Sequence, residues 1–337
     1  MRQSCKHIAF YLFICLAILT GCAGEIQPIE SVGECPLRLI PSVQSLSTKA
    51  TAEADRDENK LGDHLDVFFK GTGSNAGFWK EYHLSGCAFT DPAGELLTEN
   101  WRTDGFENNN TYDVYVIVNG PDAVHVNVGS LSALQAITHT DDEIYCVKSV
   151  TGDYSVANPS ESYYTAVKSF LMDGSATWTP NSSVSAAQTI QIPDMKRAAA
   201  KIVIDISFDG GFLSSLGSET PGPAMFKYYN FASTVPVLTT GTPITPDLYS
   251  FDGFKYANIY NSSENKYSIT TYSYPFSWLA VEAEEKAPYV VVKIPFTKEG
   301  NTVDHYYRFP ICTSGALSLE RNKIYTVNAV INSKGSY

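Results

Sequence analysis

The feature that most constrains this chain is a recurring two-residue alternation of apolar side chains. In "AAAKIVIDISF" (198–208), Ala200, Ile202, Ile204 and Ile206 alternate with Lys201, Val203, Asp205 and Ser207. A period of two places each set on one face of a β-strand. In "NTYDVYVIVNG" (110–120), Val114, Val116 and Val118 share one face and Tyr115 and Ile117 the other. Apolar character on both faces predicts a strand inside a sheet. "HLDVFFKG" (64–71), "KYSITTYSYPFSWLAV" (266–281), "PYVVVKIPF" (288–296), "DHYYRFPI" (304–311) and "RNKIYTVNAVI" (321–331) read as further strands. "CPLRLIPSVQSL" (35–46) alternates more loosely, with Leu37, Leu39 and Val43 in one set and Pro41 between them. Proline has no N–H to donate, so this strand is expected at a sheet edge or at a break in its ladder.

Helical spacing occurs once, in "GSLSALQAI" (129–137). Leu131, Leu134 and Ile137 lie three apart there, and Ser130 or Ser132 is available as N-cap. Short strands separated by turn residues, in a chain with 21 Tyr, 17 Phe, 23 Gly and 17 Pro, predict a mainly β fold of sandwich type. A length of 337 residues suits two such units. The expected division is 35–195 and 196–337, just before the strand containing Ile202. "STKATAEADRDENKLGD" (47–63) is a long, charged, small-residue loop, a type that is commonly functional.

The amino end is of another kind. Arg2 and Lys6 precede an apolar run from Ile8 to Leu19. That is the length of a signal-peptide core and too short to span a bilayer comfortably. The run closes with Leu19, Thr20, Gly21 and Cys22, which resembles the bacterial lipobox, where the Cys sulfur receives diacylglycerol and the chain is cut just before it. The expectation is a signal peptide over 1–21, a lipid-bearing Cys22 anchored in a membrane, and a polar tether over 22–34. Two or three acyl chains make a stable anchor where one is marginal.

Net charge is −12, and loss of Arg2 and Lys6 with the signal makes it −14. Such a surface repels phosphate backbones, so no nucleic-acid partner is expected. It also offers no polybasic contact to anionic lipid. Beyond Cys5, Cys15 and Cys22, four cysteines remain: Cys35, Cys87, Cys146 and Cys312. An even count in an exported chain permits disulfides. No CxxC or zinc spacing occurs, and the simpler reading is four small, partly buried apolar residues. His64, His83, His125, His139 and His305 stand in no ligand spacing and read as satisfied or surface imidazoles. Nucleophile elbows, phosphate loops and dinucleotide fingerprints are absent from the sequence. Asp55, Asp57, Asn59, Asp63 and Asp66 approach the spacing of an EF-hand loop. Lys60 stands where that loop needs glycine, and Asp66 stands where it needs a bidentate Glu, so no metal site is expected. No cofactor and no catalytic set follow from these residues. The expected role is binding or assembly.

Several stretches, in order, resemble the fimbrillins of Bacteroidales. "ENKLGDHLDVFFKG" is similar to their first core strand after its charged loop. "YDVYVIVNG" with "LSALQAI" resembles the central strand and short helix, and "SFLMDG" the Phe/Leu-x-Met-x-Gly turn. "MKRAAAKIVIDI" resembles the strand that opens their second domain. "YSYPFSW", "HYYRFPI" and "LERNKIYTVNAVI" resemble the Tyr-rich strands and the terminal Arg-Asn-x-x-Tyr strand. The likeness spans most of 36–331. It implies two tandem transthyretin-like β-sandwich domains, with one short helix in the first, in a lipoprotein precursor of a pilus subunit at the outer membrane and cell surface. It further implies that an Arg-specific protease removes the first strand, here carrying Leu37, Leu39 and Val43. Lys49 and Arg56 are the candidate cleavage positions. A strand from another pilus subunit then fills the groove. In shaft subunits the chain continues beyond the Arg-Asn-x-x-Tyr strand. Here Tyr337 follows Ile331 by six residues, which on this resemblance implies a tip or accessory subunit.

A competing expectation is a surface glycan-binding lipoprotein, with Trp101, Trp178 and Trp278 as a stacking platform. Both readings share the anchor. Cys22→Ala is expected to abolish incorporation of an alkyne fatty acid in metabolic labelling and to release or mislocalise the precursor. Equal label in the variant would remove the lipobox.

Overall fold

The computed structural model describes residues 35–43, 61–141, 144, 170–181, 187–250, 255–258, 262–263, 265–280, 283–311 and 317–335. Cys22, Lys49, Arg56, Cys146 and Cys312 lie outside them, as does nearly all of the loop 47–63. The first group of strands is β1 (Leu37–Val43), β2 (His64–Gly71), β3 (Trp79–Ser85), β4 (Glu95–Thr98), β5 (Tyr112–Val118), β6 (Thr138–Thr140), β7 (Met172–Trp178) and β8 (Gln188–Arg197). From residue 200 follow β9 (Ala200–Phe208), β10 (Thr220–Pro221), β11 (Ala224–Tyr229), β12 (Phe231–Ala232), β13 (Thr234–Pro236) and β14 (Leu248–Tyr249). The remaining strands are β15 (Lys255–Asn258), β16 (Lys266–Ser273), β17 (Phe276–Ser277), β18 (Tyr289–Lys298), β19 (Asn301–Pro310), β20 (Ser318–Leu319) and β21 (Ile324–Ile331). Among the described residues, three short α-helices interrupt them: α1 (Leu131–Ala136), α2 (Gly210–Leu216) and α3 (Ala283–Lys286). None of the described helices is long and apolar enough to cross a membrane.

The first seven-stranded array has the order β3-β2-β5-β7-β8-β1-β4. It folds over at β8. That strand meets β7 only through Lys196 and Arg197, and it meets β1 through Gln188–Met195. The two layers so formed close on one core, with Leu37, Leu39, Ile190 and Ile192 facing Val67, Phe69, Val114 and Val116. Gly174 sits at the fold: a Cβ there would lie 2.6 Å from both Ile192 Cγ2 and Met195 Sδ. Since β8 runs to Arg197, the 195/196 position lies inside a strand. β5 lies between β2 and β7, as its two apolar faces require.

Beyond residue 200, the sheet β16-β9-β21 packs on a second sheet that contains β15, β11, β18 and β19. The alternation in β9 puts Ile202, Ile204, Ile206 and Phe208 into one core with Phe226, Val290, Val292, Ile294 and Phe296. The same core includes Phe68 and Ile117 from the opposite face of β2 and β5. Main-chain pairing also joins the two halves, through β6 and β13. Asp173 on β7 accepts from Thr239 N (2.6 Å) and Thr239 Oγ1 (3.0 Å), and it lies 3.4 Å from Arg321 Nη2. Arg197, wholly buried at the end of β8, donates to Ala199 O. Its guanidinium lies 5.6 Å and 5.5 Å from the rings of Phe170 and Tyr272.

Helix α1 starts where the sequence places it, with Ser130 Oγ accepting from Ala133 N. Helix α2 went unread in the sequence. Asp209 caps it by accepting from Gly211 N and Phe212 N, and Phe212 and Leu216 bury against the second core.

A cluster that sequence spacing could not show ties the 121–129 loop to the first sheet. Asp66 on β2 is 1% exposed, and its two oxygens lie 2.8 Å from His83 Nδ1 and His125 Nδ1. His64 lies against His125 with ring centres 4.8 Å apart. Glu81 on β3 accepts from Val128 N, Gly129 N and Trp79 Nε1, and it lies 3.2 Å from His83 Nε2. Burial alone would raise the Glu81 carboxyl above its ordinary 4.5, but these hydrogen bonds outweigh burial and hold it lower. A carboxyl depressed in the folded state contributes stability above its unfolded value, and that contribution is lost as pH falls through the folded value. Glu81→Gln is therefore expected to melt about 2–4 °C below the native protein at pH 7, with the gap closing as pH falls below the ordinary carboxyl value of 4.5. A gap independent of pH in thermal melts would contradict this account.

Candidate functional site: the slot that holds the first strand

β1 lies between two strands. It pairs β8 in parallel from Leu37↔Gln188 to Val43↔Met195, and it pairs β4 antiparallel through Leu37↔Thr98, Arg38↔Leu96 and Leu39↔Glu95. Of the two positions expected for a strand with Pro41, an edge or a break in the ladder, the pairing shows an interior strand whose ladder shifts register just past Pro41. The proline is accommodated by the short reach of β4, which ends its pairing at Leu39. Pro41 lies past that end, so its missing N–H breaks no β1–β4 bond, and the ladder to β8 shifts register between Pro41 and Val43. The inner half of β1 is thus a central strand and the outer half an edge.

Leu37 and Leu39 are fully buried beside Leu97, Ile190 and Ile192, while Val43 is half-buried at the margin of the same core. The start of the strand is fixed by main-chain bonds: Gln188 N donates to Pro36 O (2.9 Å) and Trp101 N to Cys35 O (3.0 Å). Arg38, on the opposite face, donates to Gly94 O (2.8 Å) and lies 3.4 Å from Asp91. Gly94 has φ +88°, and a Cβ there would meet Leu39 O at 2.6 Å, so only glycine allows this turn to lie against β1. Among the described residues, β4 has no strand partner other than β1. Taking β1 out therefore exposes two rows of main-chain donors and acceptors, on β8 and on β4, together with the pockets of Leu37 and Leu39. An extended segment with apolar side chains two apart meets all three demands.

The remaining candidates resolve differently. Trp101, Trp178 and Trp278 are 1%, 8% and 6% exposed. Trp101 and Trp178 meet edge to face at 5.8 Å, and Trp278 packs on Phe276 at 5.2 Å. They form no stacking platform, because each is needed in a core. Cys35 and Cys87 are free thiols. Cys35 is buried. Partial burial, reinforced by Glu95, Asp63 and Asp66, pushes the Cys87 thiol up to about 11, which makes it a poor nucleophile. Asp66 belongs to the His83–His125 cluster, and among the described residues no three His, Cys, Asp or Glu side chains are placed to share a metal ion.

No protein-family model matches the chain, and a search of curated proteins returns no match. Solved structures do match. A proposed cell adhesion protein from Bacteroides eggerthii superposes with a TM-score of 0.51 at 15% identity, covering 90% of this chain and 87% of that one. A fimbrilin from Porphyromonas gingivalis W83 superposes at 0.50 with 11% identity, covering 90% and 92%. At such identities the likeness is one of architecture. The chain has a fimbrillin-like fold, which agrees with the resemblance carried by its motifs.

Leu39→Ala is expected to destabilise the protein by about 2–5 kcal/mol in denaturant unfolding, because the pocket cannot collapse around the missing atoms. Val43→Ala, at the half-buried end, should cost less than half as much. Equal losses would place the anchor of β1 elsewhere.

Proposed function

We propose that this chain is a structural or adhesive pilus subunit at the cell surface, exported as a lipoprotein on Cys22 and assembled by strand exchange at the β1 slot. The observation that carries this reading is the seating of β1. It is held by main chain on both sides and by two buried leucines, and it connects to β2 through 44–63, the stretch with Lys49 and Arg56. A cut there separates β1 from all later strands and leaves the core of β2, β5 and β7 intact. The slot then lacks one strand and selects another chain's strand by the same alternation. The fimbrillin-like fold supports the reading, as do the lipobox and the lack of a catalytic set in the sequence. We further propose that 35–195 and 196–337 act as two domains, the first receiving the incoming strand. In this reading the subunit holds a tip or accessory position, which mass spectrometry of isolated pili tests together with the mature amino end.

The test uses a labelled peptide of residues 35–46 as probe. Protein cut after Arg56 and freed of its amino-terminal fragment should stay folded by circular dichroism and bind the probe in fluorescence anisotropy. Uncut protein should not bind it. Equal binding by both forms, or global unfolding on cleavage, would sink the mechanism.

A further inference from the structure

β19 pairs β18 along its whole length, from Lys298↔Asn301 to Tyr289↔Pro310, and among the described residues no strand pairs its other side. The hairpin turn is Glu299-Gly300, with φ of +51° and +82°. A two-residue turn of this kind makes Lys298 and Asn301 a hydrogen-bonded pair. By the alternation of an antiparallel ladder, the main-chain groups of Thr302, Asp304, Tyr306 and Arg308 then point away from β18.

The segment after β21 lies over that row. Tyr307 Oη donates to Ser333 O (3.3 Å), His305 Nδ1 bonds Gly335 O (3.0 Å), and Lys334 Nζ lies 2.6 Å from Glu219 Oε2. Gly335 is pressed so close that a Cβ on it would lie 2.3 Å from Tyr306 O and 2.7 Å from Tyr307 Cε1. Beside this contact, a cavity of about 280 Å³ separates β19 from β21, with Tyr307, Phe309 and Val330 in its lining. Val330 is 66% exposed, and Val303 at the far end of β19 is 56% exposed.

The edge is also self-complementary. Antiparallel pairing of two β19 strands about Tyr306 sets Asp304 opposite Arg308 twice, Val303 opposite Phe309, and His305 opposite Tyr307. The residues whose main chain faces outward, Asp304, Tyr306 and Arg308, are those that such pairing matches with one another. Opposite charges directly across a ladder are favourable, and like charges there are not. Asp304 now lies 3.1 Å from Lys293, and Arg308 stacks 3.9 Å above Tyr289, so both charged groups stand on the outer face of the sheet.

We propose that β19 is a self-association edge covered by the 332–335 strap, and that a second copy of this chain pairs with it when the strap lifts. The charge pattern selects the second copy as occupant, since pairing about Tyr306 adds an Asp304–Arg308 pair on each side of the centre, which a strand of arbitrary sequence does not supply. The contact is isologous and closes as a dimer.

Sedimentation velocity of the purified Cys22→Ala protein over a concentration series tests this with lipid kept out of the measurement. The chain with its strap intact should remain monomeric. Gly335→Val, which has no room for its side chain, and a chain stopped after Asn332 should each dimerise at least about tenfold more tightly. Adding Asp304→Arg to either should return monomer, and the exchange D304R with R308D should restore the dimer. Folded strap variants that stay monomeric overturn the proposal. So do dimers indifferent to Asp304→Arg, because their contact lies elsewhere. Unfolding of both strap variants would make the segment part of the fold and not a cover, and it would overturn the proposal as well.

Discussion

The main-chain ladders on the two sides of β1 hold the first sandwich shut. β8 contributes the parallel side and β4 the antiparallel side, and β4 reaches the rest of the array through β1. Buried backbone groups must be paired. In the slot between β8 and β4, β1 meets that demand on both sides. Leu37 and Leu39 set the register, since a slip of one residue would turn both out of the core. Sheet closure and the exchange proposed for this subunit draw on the same bonds.

The two halves meet through polar contacts set in an apolar surround. Asp173 receives Thr239 and lies near Arg321, Arg197 lies between Phe170 and Tyr272, and β6 pairs β13. A buried charge left without partners costs several kcal/mol, so these groups disfavour any other docking of the halves. None of these contacts involves β1, so they do not depend on the first strand. At the far end the same need for pairing recurs at β19, where the strap of 332–335 covers an edge that would otherwise stand open.

Much of the architecture was legible in the residues. The period-two runs located β2, β5, β9, β18, β19 and β21 to within a few positions, because a half-buried strand must alternate whatever its partners. Ser130 and the three-residue spacing of Leu131, Leu134 and Ile137 located α1. Helix α2 was missed because seven residues with two adjacent glycines show too little periodicity, and its cap at Asp209 follows directly on a strand. The histidines were legible singly but not as a cluster. His64, His83 and His125 lie on three elements, and only the β2–β3 pairing and the 121–129 loop bring them to Asp66.

Alternation, composition and the close of the amino-terminal apolar run were enough to determine a β-rich chain of sandwich type and to nominate Cys22, while the first strand was singled out by the resemblance of the motifs to fimbrillins. These are local properties, fixed by side-chain period and by the chemistry of a short motif. Sheet order was not local. Pro41 allowed either an edge or a broken ladder; β1 is central where β4 covers it and an edge where β4 stops, a matter of how far a strand more than fifty residues away extends. The three tryptophans read more readily as core than as platform, and packing buries all three. Strand neighbours, the shared core and the strap over β19 join residues far apart in the chain. Only the tertiary structure decided them, because non-local pairing depends on the whole set of edges left to be satisfied, and no single stretch of sequence carries that set.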